Sequence, residues 1–162
     1  MTKASSAKSV LLNPVHCLAF GFGSGLSPKA PGTFGTLMAV PFCIVLLQLS
    51  PLYYVVALAL SFLLGIYLCG KTATDLGVHD HPGIVWDEFV GYWITMAFVP
   101  ANWLWLLLGF LLFRLFDIWK PWPIRLLDRN VHGGLGIMID DVLAGCFAWV
   151  VLQLLMIGFA NF

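Results

Sequence analysis

Apolar residues run through this chain in long blocks rather than in alternation, and the polar residues gather between the blocks. Five apolar segments stand out: residues 34–49, 52–70, 85–99, 102–118 and 142–160. A straight spanning helix needs about 20 such residues, with about 17 at the short end. The second and fifth segments meet that length. The first, third and fourth are short and are expected to be partly embedded. Ser50-Pro51 and Pro100-Ala101-Asn102 supply turns between segments. A Gly-rich apolar stretch over 17–27 suits a re-entrant or interfacial segment better than a span. No amphipathic strand periodicity of the kind a barrel requires is present. The expected fold is all-α: a polytopic membrane helical bundle of about five membrane-embedded helices, with a re-entrant or interfacial N-terminal segment. Residues 1–16 read as an N-terminal cytoplasmic arm and 17–162 as a single helical domain.

Composition strengthens the membrane reading. The 162 residues are 60% hydrophobic and only 10% charged, with a mean hydropathy of +0.94, whereas a soluble domain carries about a quarter charged residues. Eight basic and eight acidic residues cancel, so net charge identifies no partner. No basic patch with interleaved aromatics is present, which argues against nucleic acid. Cys17, Cys43, Cys69 and Cys146 form no C-x-x-C pair and read as small buried hydrophobes. Pro14 and His16 interrupt the sequence after Lys3 and Lys8, so the N-terminus is not expected to be a cleaved signal.

Charge position carries more than charge total. The turns near residues 50 and 101 are uncharged. All sixteen charged residues fall in the N-terminal arm, the 24–33 loop, the 71–88 loop and the 114–141 segment. Five spans would put these four regions on one side, and Lys and Arg mark that side as cytoplasmic. Every charged group would then line one membrane face, which suits a polar lipid head group.

Two acidic pairs enter apolar runs: Asp87-Glu88 and Asp140-Asp141. Carboxylates at membrane depth are costly and are retained chiefly for function. Each pair is followed by two apolar residues and then a small one, Gly91 in the first and Ala144-Gly145 in the second. A small residue one turn beyond the acids lets a neighbouring helix approach closely, so two such helix starts could gather four carboxylates. Hard oxygen ligands of this kind suit Mg²⁺, which is usually held together with substrate phosphate. The bland alternative for Asp87-Glu88 is a pair of first-turn acids favoured by the helix dipole. For Asp140-Asp141 it is simple solvation at a helix start.

Three further loops carry candidate chemistry. The Gly-rich stretch from Gly23 to Thr36 includes Lys29 and Thr33. Glycines allow backbone N–H groups to approach an anion, and Thr33 is a candidate N-cap for the following helix. Lys29 lacks the G-K-[ST] context of a Walker A loop, and a re-entrant connector shaped by Pro28 and Pro31 is the alternative. In the second loop, His79, Asp80 and His81 could bind a transition metal, or could form a polar turn whose histidines cap helices or touch phosphate. In the third, Arg114, Asp117 and Lys120 are spaced i, i+3, i+6 and share a helical face. Pro121 ends that helix, Trp119 and Trp122 suit an interfacial aromatic belt, and Arg125 and Arg129 are topology determinants or phosphate contacts.

The stretches GFGSGLSPKAPGTFGT, GVHDHPGIVWDE, FRLFDIWKPWPIRLLDRNVHGG and GIMIDDVLAG closely resemble the phosphatidylglycerophosphatase A family of bacterial phospholipid phosphatases, from about residue 17 to the last helix. The resemblance implies an Mg²⁺-dependent phosphomonoesterase converting phosphatidylglycerophosphate to phosphatidylglycerol at the cytoplasmic side of the inner membrane. Carried over residue by residue, Asp87, Glu88, Asp117, Asp140 and Asp141 are candidates for metal. Lys29, Thr33, Arg114, Lys120 and Arg125 are candidates for substrate phosphate.

Metal-activated water is the expected nucleophile, with a carboxylate, His79 or His81 as base. No D-x-D-x phospho-aspartate motif occurs, and neither do the K-x₆-R-P and P-S-G-H signatures of histidine-nucleophile lipid phosphatases. The D-G-x-x-A-R core of enzymes joining alcohols to CDP-lipids is also missing. The partners expected are the lipid substrate and the bilayer, with no obligate protein partner evident. The chief alternative is a small membrane cation or proton transporter using the acidic pairs. It would place its polar residues near the bilayer midplane.

Overall fold

The computed structural model describes residues 7–78 and 81–160. Among the described residues all regular structure is helical. In chain order it comprises α1 (Ala7–Leu12), α2 (Pro14–Ala19), a 3-10 turn over Gly21–Leu26, α3 (Pro31–Leu46), α4 (Pro51–Leu76), α5 (Trp86–Thr95), α6 (Trp103–Trp119), α7 (Ile124–Asn130) and α8 (Gly133–Ala160).

Local sequence explains most of the boundaries. Asn13 caps α2 by accepting the Val15 N–H at 3.0 Å, and Asn102 caps α6 by accepting from Leu104 and Trp105 at 3.0 and 3.1 Å. Pro31 and Pro51 open α3 and α4, where a missing N–H costs nothing and φ is already helical. That start corrects one expectation. Ala30, in a left-handed conformation, is the N-cap residue of α3, so Thr33 lies inside the first turn and does not cap it.

Among the described residues two helices are long and apolar enough to cross a membrane, Pro51–Leu76 and Gly133–Phe159. At 1.5 Å per residue α4 is about 39 Å long and α8 about 42 Å. The five-span expectation is not matched at that count. α3 has 16 residues and α6 has 17, about 24–26 Å each, and the 10 residues of α5 reach only about 15 Å against a hydrocarbon core of about 30 Å. The third apolar segment is uninterrupted for a different reason. α5 is the central helix, and Trp86, Phe89, Val90, Gly91, Tyr92, Trp93 and Thr95 are all buried. A helix that is apolar all round is one enclosed on all sides, here by protein.

Beside α5, α3 turns small residues inward and large ones outward. α3 buries Gly32, Gly35, Thr36, Ala39 and Cys43 while Phe34, Leu37, Phe42 and Val45 are exposed. α4 likewise exposes Leu52, Tyr53, Val56, Leu60 and Leu63. Small-inside, large-outside packing is how helices associate where the surroundings are themselves apolar. Polar atoms of the buried aromatics are paired to carbonyls. Tyr54 Oη donates to Trp93 O at 2.6 Å, Trp93 Nε1 to Ala39 O at 3.1 Å and Trp149 Nε1 to Ala97 O at 2.9 Å.

A close backbone crossing joins α5 to α8. A Cβ on Gly91 would come within 2.7 Å of the Asp141 carbonyl, and one on Gly145 would overlap the Gly91 carbonyl. Thr95 Oγ1 donates to Gly91 O at 3.0 Å and lies 3.4 Å from Gly145 O. The small residues that follow each acidic pair are therefore the contact itself. The crossing sets the first turn of α5 beside the part of α8 about two turns from its start. The ends of α4 and α6 and the start of α3 arrive at the same pole, while the Leu46–Pro51 and Thr95–Trp103 connections at the opposite pole carry no charge.

Gly145→Ala should therefore destabilise the protein by about 1–3 kcal/mol, despite the roughly 1 kcal/mol that alanine gains over glycine in a helix. Gly158, with nothing within 4 Å of its would-be Cβ, is the control: Gly158→Ala should be neutral or stabilising. Thermal unfolding in detergent compares the two.

Candidate active site

Four helices meet at the charged pole around a cleft of about 350 Å³. α3 contributes Pro31 and Gly32 with the preceding Ala30. α5 contributes Asp87 and Glu88, with Pro82 and Ile84 ahead of it. The end of α6 contributes Arg114, Asp117, Ile118 and the following Lys120, and α8 contributes Asp140 and Asp141. All five acids expected to gather do line one cleft, with two of the expected cations. Gly32 and Gly35 make the space, because a Cβ on Gly32 would overlap Glu88 Oε1 and one on Gly35 would press on Glu88 Oε2.

The two cations hold three of the five acids in ion pairs. Arg114 donates to Glu88 Oε1 at 3.1 Å and also to Asp117 Oδ2. Lys120 takes a left-handed conformation, φ 45°, at the end of α6. This turn sends its Nζ to Asp140 Oδ2 at 2.6 Å and Asp128 Oδ1 at 2.9 Å. Burial alone would lower the Lys120 pKa, but its hydrogen bonds to Asp140 and Asp128 outweigh that and hold it above the usual lysine range. It stays a cation.

Five carboxylates against two cations leave the cleft short of positive charge. Glu88 Oε2 and Asp140 Oδ1 are buried without a hydrogen-bond partner, as is Arg114 Nε. Neither Asp87 nor Asp141 is ion-paired among the described residues. Asp87 Oδ1 accepts only the Glu88 N–H, at 3.0 Å. α5 is too short to cross a membrane, and burial pushes both carboxyls at its start above the usual range, Glu88 to about 8 against the pull of Arg114. Unpartnered buried carboxylate oxygens call for a cation or a proton. The donor set, all oxygen and all hard, fits Mg²⁺. Among the described residues no three acid, histidine or cysteine side chains form a ready-made cage, and Arg114 and Lys120 occupy part of the set.

The remaining sequence candidates lie elsewhere. Lys29 is exposed and Thr33 half-buried, and neither lines the cleft. His81 is part of a turn: its Nδ1 accepts the Gly83 N–H at 3.0 Å, and its ring packs on Phe20 at 5.4 Å. That matches the polar-turn alternative for this loop. His79 and Asp80 lie outside the described residues. Arg125 is exposed on α7 and borders a neighbouring cavity. Sequence reasoning passed over Asp128, the second partner of Lys120. Its signal was an acid eight residues beyond the lysine, across two prolines.

The sequence model of the family described as Phosphatidylglycerophosphatase A matches residues 17–156, a range that contains every residue lining the cleft. The chain belongs to the phosphatidylglycerophosphatase A family. An Escherichia coli (strain K12) protein named Phosphatidylglycerophosphatase A is 58% identical over 134 residues, covering 82% of this chain and 78% of the relative. A Haemophilus influenzae protein of the same name is 53% identical over 154 residues, covering 93% of this chain and 94% of the relative. No solved structure matches the chain. As a member of the phosphatidylglycerophosphatase A family the chain is a phosphatase.

Arg114→Met should leave Glu88 and Asp117 buried without their cation and lower stability by about 3 kcal/mol or more at neutral pH. Adding Glu88→Gln should restore part of the loss. Thermal unfolding in detergent reads both, and equal destabilisation by the single and double variants would count against the pairing.

Proposed function

We propose that the chain hydrolyses phosphatidylglycerophosphate to phosphatidylglycerol and phosphate, with Mg²⁺ as cofactor, at the cytoplasmic face of the bacterial inner membrane. The reading rests on one observation above the rest: five carboxylates, Arg114 and Lys120 from separate helices line a single cleft at the charged pole. Family membership and the names of two relatives above half identity supply the substrate.

The open oxygens support one choice of metal set. Asp87, Asp141, Asp140 Oδ1 and Glu88 Oε2 would hold Mg²⁺, with Asp117 kept near by Arg114. When bound, the ion would neutralise phosphate charge and acidify an attacking water. The protein's own groups do the rest. Arg114 and Lys120 bind the equatorial oxygens of the phosphate, where negative charge spreads in the transition state. Water attacks phosphorus, the bond to the glycerol oxygen breaks, and that oxygen leaves as the alcohol on taking up the proton that the water gives up. A carboxylate of the cleft that does not bind the metal takes the proton from the water. His81, held in its turn, has no part in this route.

Depth favours the phosphatase over a transporter. Asp140 and Asp141 lie about two turns into α8, with residues 142–160 of the same helix beyond them. In a spanning α8 they would sit near one surface, as a head-group enzyme needs, whereas transporter sites lie at the midplane. With α4 and α8 crossing the bilayer, the apolar outer faces of α3 and α6 would be partly embedded and the cleft would open among the head groups.

Purified protein in detergent should release phosphate from phosphatidylglycerophosphate with Mg²⁺ and stop with EDTA. Folded Asp140→Asn should lose about 100-fold or more. Release that persists in EDTA would remove the metal from the account, and no release by well-folded wild type under varied metals would remove the substrate.

A further inference from the structure

A second cavity, of about 250 Å³, adjoins the acidic cleft and is lined by Lys120, Trp122, Arg125 and Leu126. Lys120 lines both spaces, so they share a wall. Their chemistry is opposite. The cleft has five carboxylates for two cations, while the second cavity has two cations and no acid in its lining. Lys120 is committed to Asp140 and Asp128. Arg125 is exposed and makes no ion pair or side-chain hydrogen bond among the described residues, so its guanidinium is free for an anion. Beside it Trp122 is 80% exposed and Leu126 51% exposed, an apolar border suited to the interfacial part of a lipid.

The substrate read from the cleft has two phosphates. One is the terminal monoester that is hydrolysed. The other is the diester that joins the glycerol head to diacylglycerol, one glycerol away. Resting on that reading, we propose that the Lys120–Trp122–Arg125 cavity receives the bridging phosphodiester while the monoester occupies the acidic cleft. Arg125 is then the residue that selects two-phosphate lipids over lipids with a single phosphate. A planar guanidinium suits the two free oxygens of a diester, which it can hold through paired N–H groups. A lipid whose only phosphate is attached directly to diacylglycerol cannot fill both spaces, because filling the cleft leaves the second cavity without an anion.

The test compares phosphatidylglycerophosphate with phosphatidic acid in mixed micelles, for wild type, Arg125→Gln and Arg125→Lys, each shown to be folded by thermal unfolding. The readout is the ratio of kcat/KM on the two lipids, or of KM for the first to Ki for the second if phosphatidic acid only inhibits. Arg125→Gln should reduce the preference for phosphatidylglycerophosphate by about 10- to 100-fold, chiefly through KM. Arg125→Lys should fall between, since it keeps the charge and loses the fork. A ratio within about twofold of wild type in Arg125→Gln, or equal losses on both lipids, would overturn the subsite while leaving the phosphatase reading intact. Wild type that is folded yet inactive on phosphatidylglycerophosphate would overturn both.

Discussion

Backbone meets backbone where α5 crosses α8, and the charged pole depends on that contact. Gly91 and Gly145 face each other so closely that neither tolerates a Cβ without a shift of main chain. Each lies one turn beyond an acidic pair, so the approach of the two glycines carries Asp87-Glu88 and Asp140-Asp141 toward one another. Carboxylates do not gather unaided in a low-dielectric setting, since their mutual repulsion is large there. Packing of the apolar remainder of α5, buried on all sides, and of α8, which runs the length of the bundle, supplies the force that repulsion opposes. The site is thus held by residues that take no part in its chemistry.

Arg114 and Lys120 divide the acids unequally. Each bridges two carboxylates, Glu88 with Asp117 and Asp140 with Asp128, leaving Asp87, Asp141 and two further buried oxygens open. Ion pairs of this kind fix side-chain positions more than they add stability. They fix Glu88 and Asp140 by one oxygen each and leave the other oxygen without a hydrogen-bond partner. Lys120 also marks the boundary between the acid-rich space and the cation-rich cavity bearing Arg125. One residue in a left-handed turn therefore sets the polarity of both halves.

The acidic constellation was largely legible in the sequence. Adjacent acids entering apolar runs are conspicuous against membrane energetics, and the small residue one turn on announced the crossing. Arg114 and Asp117 followed from helical spacing. What could not be read was how the loops close. Thr33 is adjacent to the residue that lines the cleft, but Pro31 starts the helix earlier than a hydroxyl cap would. His81 is turned into its own loop by the Gly83 N–H, a contact that no spacing encodes. The five-span count is not confirmed, and α5 is where hydropathy misleads, because it does not distinguish a helix wrapped by protein from one wrapped by lipid. Asp128 escaped because its pairing with Lys120 depends on the direction of the chain across Pro121 and Pro123.

The central claim is that the open oxygens between α5 and α8 form a divalent-cation site. Titration of the purified protein with Mn²⁺, followed by the loss of the free-ion paramagnetic resonance signal, addresses it directly and needs no turnover. Saturable binding that Mg²⁺ displaces, and that weakens markedly in both folded Asp87→Asn and folded Asp141→Asn, is the result the account predicts. Absence of saturable binding by wild type, or binding unchanged in both variants, would contradict it.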